Sequence, residues 1–239
     1  MKAIGIDVGG SKIRAVRVRL AHRERWNGTR VEKLVVAKTP RSAAALTKIL
    51  RRIIVSLEEH EAFSVGIGFA GVVQDRKIVM SPNNRFLKHY DPSRALGRAV
   101  TIDNDARVFA RAEYAMGAAK GAQRALFLTF GTGVGRAYGI GSEVKRVKRF
   151  EYPEQWEKHY QHVKGVAALA PFLAEKLQPL IRAYQPAVIV AGGAVAEKKG
   201  FIAAFRAELK KRGFKDVVAG AKLGTLAGAI GAAMTARAK

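Results

Sequence analysis

Apolar and polar positions alternate with period two over Lys2 to Asp7, Lys12 to Leu20 and Arg30 to Lys38, which predicts three successive strands in an antiparallel meander. Gly9 and Gly10 join the first two. From Ser42 to Glu59 the apolar positions shift to helical spacing behind a serine, the signature of a capped amphipathic helix. A strand over 64–71, a short hairpin over 72–80, a strand over 98–105 that ends in polar residues and a helix over 106–119 closed by glycine complete a first cycle. The second cycle begins at Ala125 with strand, glycine turn and strand through Ile140. A long helical region from Trp156 to Tyr184, a strand over 187–193, a helix from Phe201 to Arg212 and a final helix over 223–236 follow. That last segment is too short and too rich in glycine to span a bilayer, so it is expected to be buried through its small residues. One large α/β unit is thus used twice, which predicts two lobes facing a cleft: residues 1–103, joined by the terminal helix 223–237, and residues 104–222.

Length and composition permit this reading. The 239 residues suffice for a full hydrophobic core, and 49% apolar with 26% charged residues is ordinary for a globular protein. The charge balance is not ordinary. Forty-three Lys and Arg against 19 Asp and Glu give a formal +24, which favours polyanions, anionic surfaces or phosphorylated ligands by long-range attraction. The chain has no cysteine, which excludes disulfides and thiolate zinc sites, and it opens directly into a strand without an apolar leader; a cytoplasmic protein is expected.

Three glycine turns and one acidic strand end carry the candidate chemistry. Asp7 is followed by Gly9, Gly10, Ser11 and Lys12, where backbone N–H groups can turn toward an anion and a carboxylate can hold Mg2+. Such a turn is more often only a turn. Gly131, Thr132, Gly133 and Gly135 repeat the arrangement with a hydroxyl added, and Gly192 and Gly193 end a strand that opens onto a helix, which suits either an approaching nucleotide or plain strand-to-helix packing. At Asp103, Asn104 and Asp105 the alternatives are helix capping and general-base catalysis, with Asp105 taking a proton from a substrate hydroxyl and Asn104 holding neighbouring ones. Arg136 offers a cation beside the second turn, and with Lys145, Arg146, Lys148 and Arg149 forms either a basic strip or a solvated face.

The segments "IGIDVGGSKIRAV", "GFAGVVQDRKIVMSPNN", "IDNDARVFARAE", "LTFGTGVG", "PAVIVAGGAV" and "LGTLAGAIGAA" resemble, in order, the motifs of the ROK family of sugar kinases. The resemblance implies the two-lobed α/β fold of the actin-like, ribonuclease H-like ATPases with an interlobe cleft. It also implies ATP- and Mg2+-dependent phosphorylation of a hexose or N-acylhexosamine hydroxyl, with lobe closure excluding water. Carried onto this chain, Asp7 positions Mg2+; Gly9, Gly10, Ser11, Lys12, Gly131, Thr132 and Gly133 surround the phosphates; Gly192 and Gly193 approach adenosine; Asn83, Asn104 and Asp105 touch the sugar, with Asp105 as base.

The chain departs from the family by lacking the Glu-x-Gly-His sugar motif and the cysteine-rich zinc loop, so no structural zinc is expected. Glu151 or Glu154 is a candidate replacement for the missing glutamate, and His159 with His162 a weak metal pair against a bland reading as packed or solvated side chains. Some relatives use polyphosphate, which a +24 chain would attract. Others are non-catalytic sugar or nucleic-acid binders, here without room for an N-terminal helix-turn-helix. Family members often form homodimers.

Overall fold

The computed structural model describes residues 2–19, 29–75, 77–82, 84–141, 143–215 and 218–236. It divides into two compact units, residues 1–112 with 226–239, and residues 113–225.

In the first unit, β1 (Lys2–Val8), β2 (Lys12–Arg19) and β3 (Arg30–Lys38) form the expected meander, while β4 (Ser64–Phe69) and β7 (Thr101–Asn104) extend it in parallel with β1, giving the order β3-β2-β1-β4-β7. A small hairpin, β5 (Val72–Gln74) and β6 (Lys77–Met80), stands apart. Alternation along β1 sorts its side chains. Ile4, Ile6 and Val8 join a core with Leu46, Leu50, Ile53, Ile54 and Leu57 of α1 (Ala43–Glu58). That helix starts where Ser42 Oγ accepts the N–H of Ala45 at 3.3 Å, as its sequence predicts. A short α2 (Pro92–Leu96), with proline in its first turn and Gly97 as a left-handed cap, is one the periodicity does not announce because it spans barely one turn.

The chain crosses between units inside α3 (Asp105–Ala115). Early in the helix, Val108 packs against Gly68 of β4; further on, Tyr114 donates its hydroxyl to Gly141 O at 2.6 Å and sets its ring edge-on to Phe127 at 5.8 Å. Asn104 and Asp105 therefore belong with the first sheet, whereas the sequence pattern assigns them to the second lobe.

The second unit repeats the plan. Strands β8 (Arg124–Phe130), β9 (Val134–Ile140) and β10 (Glu143–Lys145) form the meander, and β11 (Val188–Gly192) and β12 (Val218–Gly220) run parallel to β8, in the order β10-β9-β8-β11-β12. Three-residue β12 escapes any periodicity. The expected long helical region is three pieces: α4 (Trp156–Tyr160), α5 (Val166–Lys176) and α6 (Gln178–Tyr184). Gly165, at φ +78°, separates the first two, and Pro179 opens the third. With α7 (Phe201–Lys211) they cover the sheet, Phe130 meeting the edges of Phe201 and Phe205 at 5.5 and 5.7 Å.

Finally α8 (Ala227–Thr235) returns to the first unit and lies on β1 and β4. Gly5 and Gly66 are register neighbours, and a methyl on Gly5 would overlap Ala229 O and Ala233 N, as one on Gly66 would overlap Ala232 O. The small residues of the terminal segment are thus a backbone-to-sheet contact. Among the described residues no helix is long and apolar enough to cross a membrane.

Candidate functional site

Asp7 lies one residue from the carboxyl end of β1, in a row with Gly68 of β4 and Asp103 of β7, and Asp105 opens α3 directly after β7. Ligands of open α/β sheets gather at this end of the parallel strands. The side chain of Asp7 points to the face covered by α8, where a methyl on Gly228 would strike its carboxylate. Burial, and then the negative charge of Asp105, push the Asp7 carboxyl up to about 7, against the pull of Arg14, its partner across the β1–β2 register.

Burial likewise raises Asp105 to about 6. Opposing this, its Oδ1 accepts the N–H of Ala106 at 2.9 Å and the Asn104 amide at 2.9 Å, and Arg107 lies within range of its charge. Asn104 does two jobs: its Oδ1 caps α3 by accepting the N–H of Arg107 at 3.1 Å, and its Nδ2 donates both to Asp105 and to Gly71 O at 2.6 Å. The capping alternative holds for Asn104, and the same side chain aims Asp105. Asp103 is structural. It accepts from Arg107 Nε at 2.5 Å, Arg111 Nη2 at 2.8 Å and the Asn104 N–H at 2.8 Å.

The first glycine turn is stitched to the end of β3: Gly9 N donates to Lys12 O at 3.1 Å, Thr39 N to Ser11 O at 3.1 Å, and the Thr39 hydroxyl to Gly9 O at 2.8 Å. Ser11 and Lys12 are left exposed at its tip. In the second unit the turn at Gly131, Thr132 and Gly133 closes with Gly131 N donating to Gly133 O at 3.0 Å, and is held from below by Tyr160 OH on Gly131 O at 3.0 Å and Gln161 Nε2 on Thr132 O at 3.2 Å. Gly131 has neither a left-handed backbone nor any atom within 4 Å of where a Cβ would stand, so the fold does not demand glycine there. Gly193 differs: φ is +86°, and a Cβ would come within 2.6 Å of Phe130 O. Packing explains Gly193, and it brings the strand end of Gly192 beside the second turn, with Val195 N donating to Phe130 O at 3.0 Å. Beyond Gly193 the chain makes turns, with α7 beginning only at Phe201, so the expected strand-to-helix opening is absent.

Several candidates resolve differently from expectation. Arg136 is neither a phosphate-facing cation nor a solvated residue: its side chain is 2% exposed, paired with Glu157 at 2.7 Å and Glu154 at 3.4 Å, bonded to Phe150 O at 3.1 Å and stacked over Trp156. Strand alternation from Val134 turns it into the helical layer. We expect Glu157→Ala to destabilise the protein by about 3 kcal/mol in chemical denaturation, because it strands a buried guanidinium, while Arg136→Met costs less. Glu151 pairs with Arg146, and Glu154 with Arg136, so both are engaged within their own unit. His159 lies against Phe172 at 5.5 Å, and no group of three or more metal-ligating side chains occurs among the described residues. Lys145 and Arg146 of the basic strip are paired with Glu143 and Glu151. Asn83 lies outside the described residues.

Sequence reasoning passed over Arg14, Thr39 and Gly71. Counting back across the β1–β2 turn pairs Arg14 with Asp7, so that signal was present. The other two act through backbone geometry that no residue pattern displays.

A family model described as the ROK family matches residues 3–147. The glucokinase of Streptomyces coelicolor is 33% identical over 149 residues, which cover 60% of this chain and 45% of that protein. The N-acetylgalactosamine kinase of Shewanella sp. strain ANA-3 is 31% identical over 140 residues, 55% of this chain and 42% of that protein. The chain thus aligns with somewhat under half the length of the curated relatives it matches. In three dimensions it is similar to a ROK family glucokinase from Streptomyces griseus, crystallised with glucose and AMPPNP, at TM-score 0.83 and 22% identity, covering 99% of both chains. That likeness shows the fold, the actin-like ATPase arrangement that the motifs imply. With its two repeated sheets, its acidic strand ends and a family match over more than half its length, the chain belongs to the ROK family.

Proposed function

We propose that this protein transfers a phosphoryl group from ATP, with Mg2+, to a hydroxyl of a hexose or N-acylhexosamine. The observation that carries the reading is the pair Asp7 and Asp105 at the carboxyl end of the parallel strands, where the charge of Asp105 adds to burial in raising the proton affinity of Asp7. Stability alone disfavours such a pair. The names of the aligned relatives, a glucokinase and an N-acetylgalactosamine kinase, supply the acceptor class.

Mg2+ fits these residues. No hydrogen bond is made to the Asp7 side chain among the described residues, and a second negative charge stands beside it, as suits a hard cation. Among the described residues no three acidic or histidine side chains gather around one point, and on this reading the ion arrives with the phosphates, Asp7 supplying one anchor. When bound, it neutralises charge on the phosphate oxygens. On this reading Ser11, Lys12 and Thr132 donate to phosphate oxygens. Asp105, held by Asn104 and the Ala106 N–H, accepts the proton of the acceptor hydroxyl as its oxygen bonds to phosphorus and the bond to the departing ADP breaks. The same reading assigns the protein to the cytoplasm, with no structural zinc.

Incubating nucleic-acid-free protein with Mg2+, hexoses and N-acetylhexosamines, with ATP or polyphosphate as donor, tests this by mass detection of sugar phosphates. The +24 charge is the reason for the second donor; if electrostatics hold it, its use will fall steeply with salt. No product from any pair, with ATP still bound, would replace the kinase by a sugar-sensing reading.

Stability carries the signature of the same pair. Because folding raises Asp7 from 3.8 to about 7, the folded state binds more protons than the unfolded one in that window, so stability falls as pH rises through it. Asp7→Asn is expected to raise stability at pH 8 by roughly 1–3 kcal/mol, discounted for the residue's partial exposure, and to abolish transfer. A melting temperature unchanged at pH 8 would remove the claim that the pair is strained.

A further inference from the structure

We propose that the outward face of α1, with Arg94 of α2 at its flank, is a docking surface for the phosphate backbone of duplex nucleic acid. The inference is independent of the kinase reading.

Helix α1 buries Leu46, Leu50, Ile53, Ile54 and Leu57, which leaves Lys48, Arg51, Arg52 and Val55 exposed on its other side. No acidic residue precedes Glu58 in the helix. Lys48 stands three and four residues before Arg51 and Arg52, so like charges are neighbours on the helix surface, an arrangement that disfavours the helix. The macrodipole does not call for them either, since no acid stands in the first turn and no base in the last. Arg51 Nη2 donates to Ala95 O at 2.6 Å, which sets the exposed Arg94 beside α1, and Thr47 shares a hydrogen bond of 2.8 Å with the Tyr90 hydroxyl just before α2.

The carboxylates around this face are already engaged. Asp91 caps α2, Glu58 pairs with Arg98, and Glu59 pairs with Arg17 and Lys33. Lys48, Arg51, Arg52 and Arg94 make no ion pair among the described residues. Elsewhere the chain interleaves its charges, as on α7, where Glu208 pairs with both Lys211 and Arg212. A face that served only solubility would be mixed in the same way.

The chemistry of the face selects its partner. Three of the four cations are guanidinium groups, whose forked donors match phosphate oxygens. Val55 is the one large apolar side chain exposed on α1, too little for a bilayer to take up. No aromatic ring of α1 or α2 stands exposed, so the stacking platform that holds single strands is missing, whereas a duplex backbone asks only for positive charge. The formal +24 of the chain draws such a polyanion in from a distance. Asp7 points to the opposite face of the sheet, toward α8, so this surface is separate from the candidate site.

Protein freed of nucleic acid, titrated into fluorescein-labelled duplex DNA of mixed sequence, should bind with a dissociation constant of about 1–100 μM at about 0.15 M NaCl. The logarithm of the association constant should fall against the logarithm of salt with a slope of about −4, close to one phosphate for each cation. Lys48→Gln, Arg51→Gln and Arg52→Gln combined should weaken binding at least about tenfold and flatten that slope by about 2–3 units. Lys158→Gln, Lys198→Gln and Lys199→Gln combined remove the same charge from exposed positions of the second unit, and should change the affinity less than about threefold. If the first triple variant does not fold, Arg52→Gln with Arg94→Gln decides the matter, with an expected loss of about fivefold or more. No binding at low salt, an equal loss in the two triple variants, or tighter binding to a single poly-dT strand or to anionic vesicles than to the duplex overturns the proposal.

Discussion

Asp105→Ala is expected to lower kcat by about 10³–10⁴-fold, while the dissociation constant for ATP stays within roughly twofold of wild type. The side chain sits at the first residue of α3 with Oδ1 fixed by two donors, so its removal takes away a proton acceptor without disturbing either glycine turn. The pH profile makes the prediction specific. A base must be ionised to act, and in the free protein Asp105 is raised to about 6 and Asp7 to about 7, so wild-type kcat/KM should fall as pH drops below about 7 and more steeply below about 6, the lower part being the limb that Asp105 contributes. Residual activity in Asp105→Ala should lose this limb. A variant that transfers at the wild-type rate, or keeps the acid limb, would show that another group takes the proton.

What the sequence displayed and what it hid follow from physical range. Period-two alternation placed the core strands because each buries one face, and Ser42 announced α1 through a local bond three residues long. Repetition of strand, glycine turn and strand disclosed the duplicated unit, and both sheets have the same strand order. Asp7 and Asp105 were legible as strand-end acids, but the push of Asp105 on Asp7 is a long-range fact, produced when β4 inserts between β1 and β7. Arg136 misled for the complementary reason. Its neighbours in sequence are the glycines of the turn, while its ion-pair partners, Glu154 and Glu157, lie in and beside α4. At Gly193 the sequence left a nucleotide site and plain packing both open, and the carbonyl of Phe130, more than sixty residues away, by itself requires glycine there. A residue type records a constraint without saying whether a ligand or a backbone imposes it.

Two glycine-to-alanine changes separate those cases beneath the site. In Gly5→Ala the added methyl meets Ala229 O and Ala233 N, main-chain atoms of α8 that no rotamer change can move. The helix has to lift from β1, and we expect a loss of about 3 kcal/mol or more, read as a large drop in melting temperature. In Gly228→Ala the methyl meets the carboxylate of Asp7, the far end of a side chain able to swing aside. Alanine also raises helix propensity by up to about 1 kcal/mol over glycine, which offsets crowding, so stability should stay within roughly 1 kcal/mol of wild type. Activity should not stay. If Asp7 anchors the donor as proposed, displacing its carboxylate by an ångström misplaces that charge, and kcat should fall about 10²-fold. Full activity in a folded Gly228→Ala protein would mean that the position of Asp7 is not what the reaction depends on, whereas a folded but inactive protein would tie the small residues of the last helix to the chemistry at the end of the first strand.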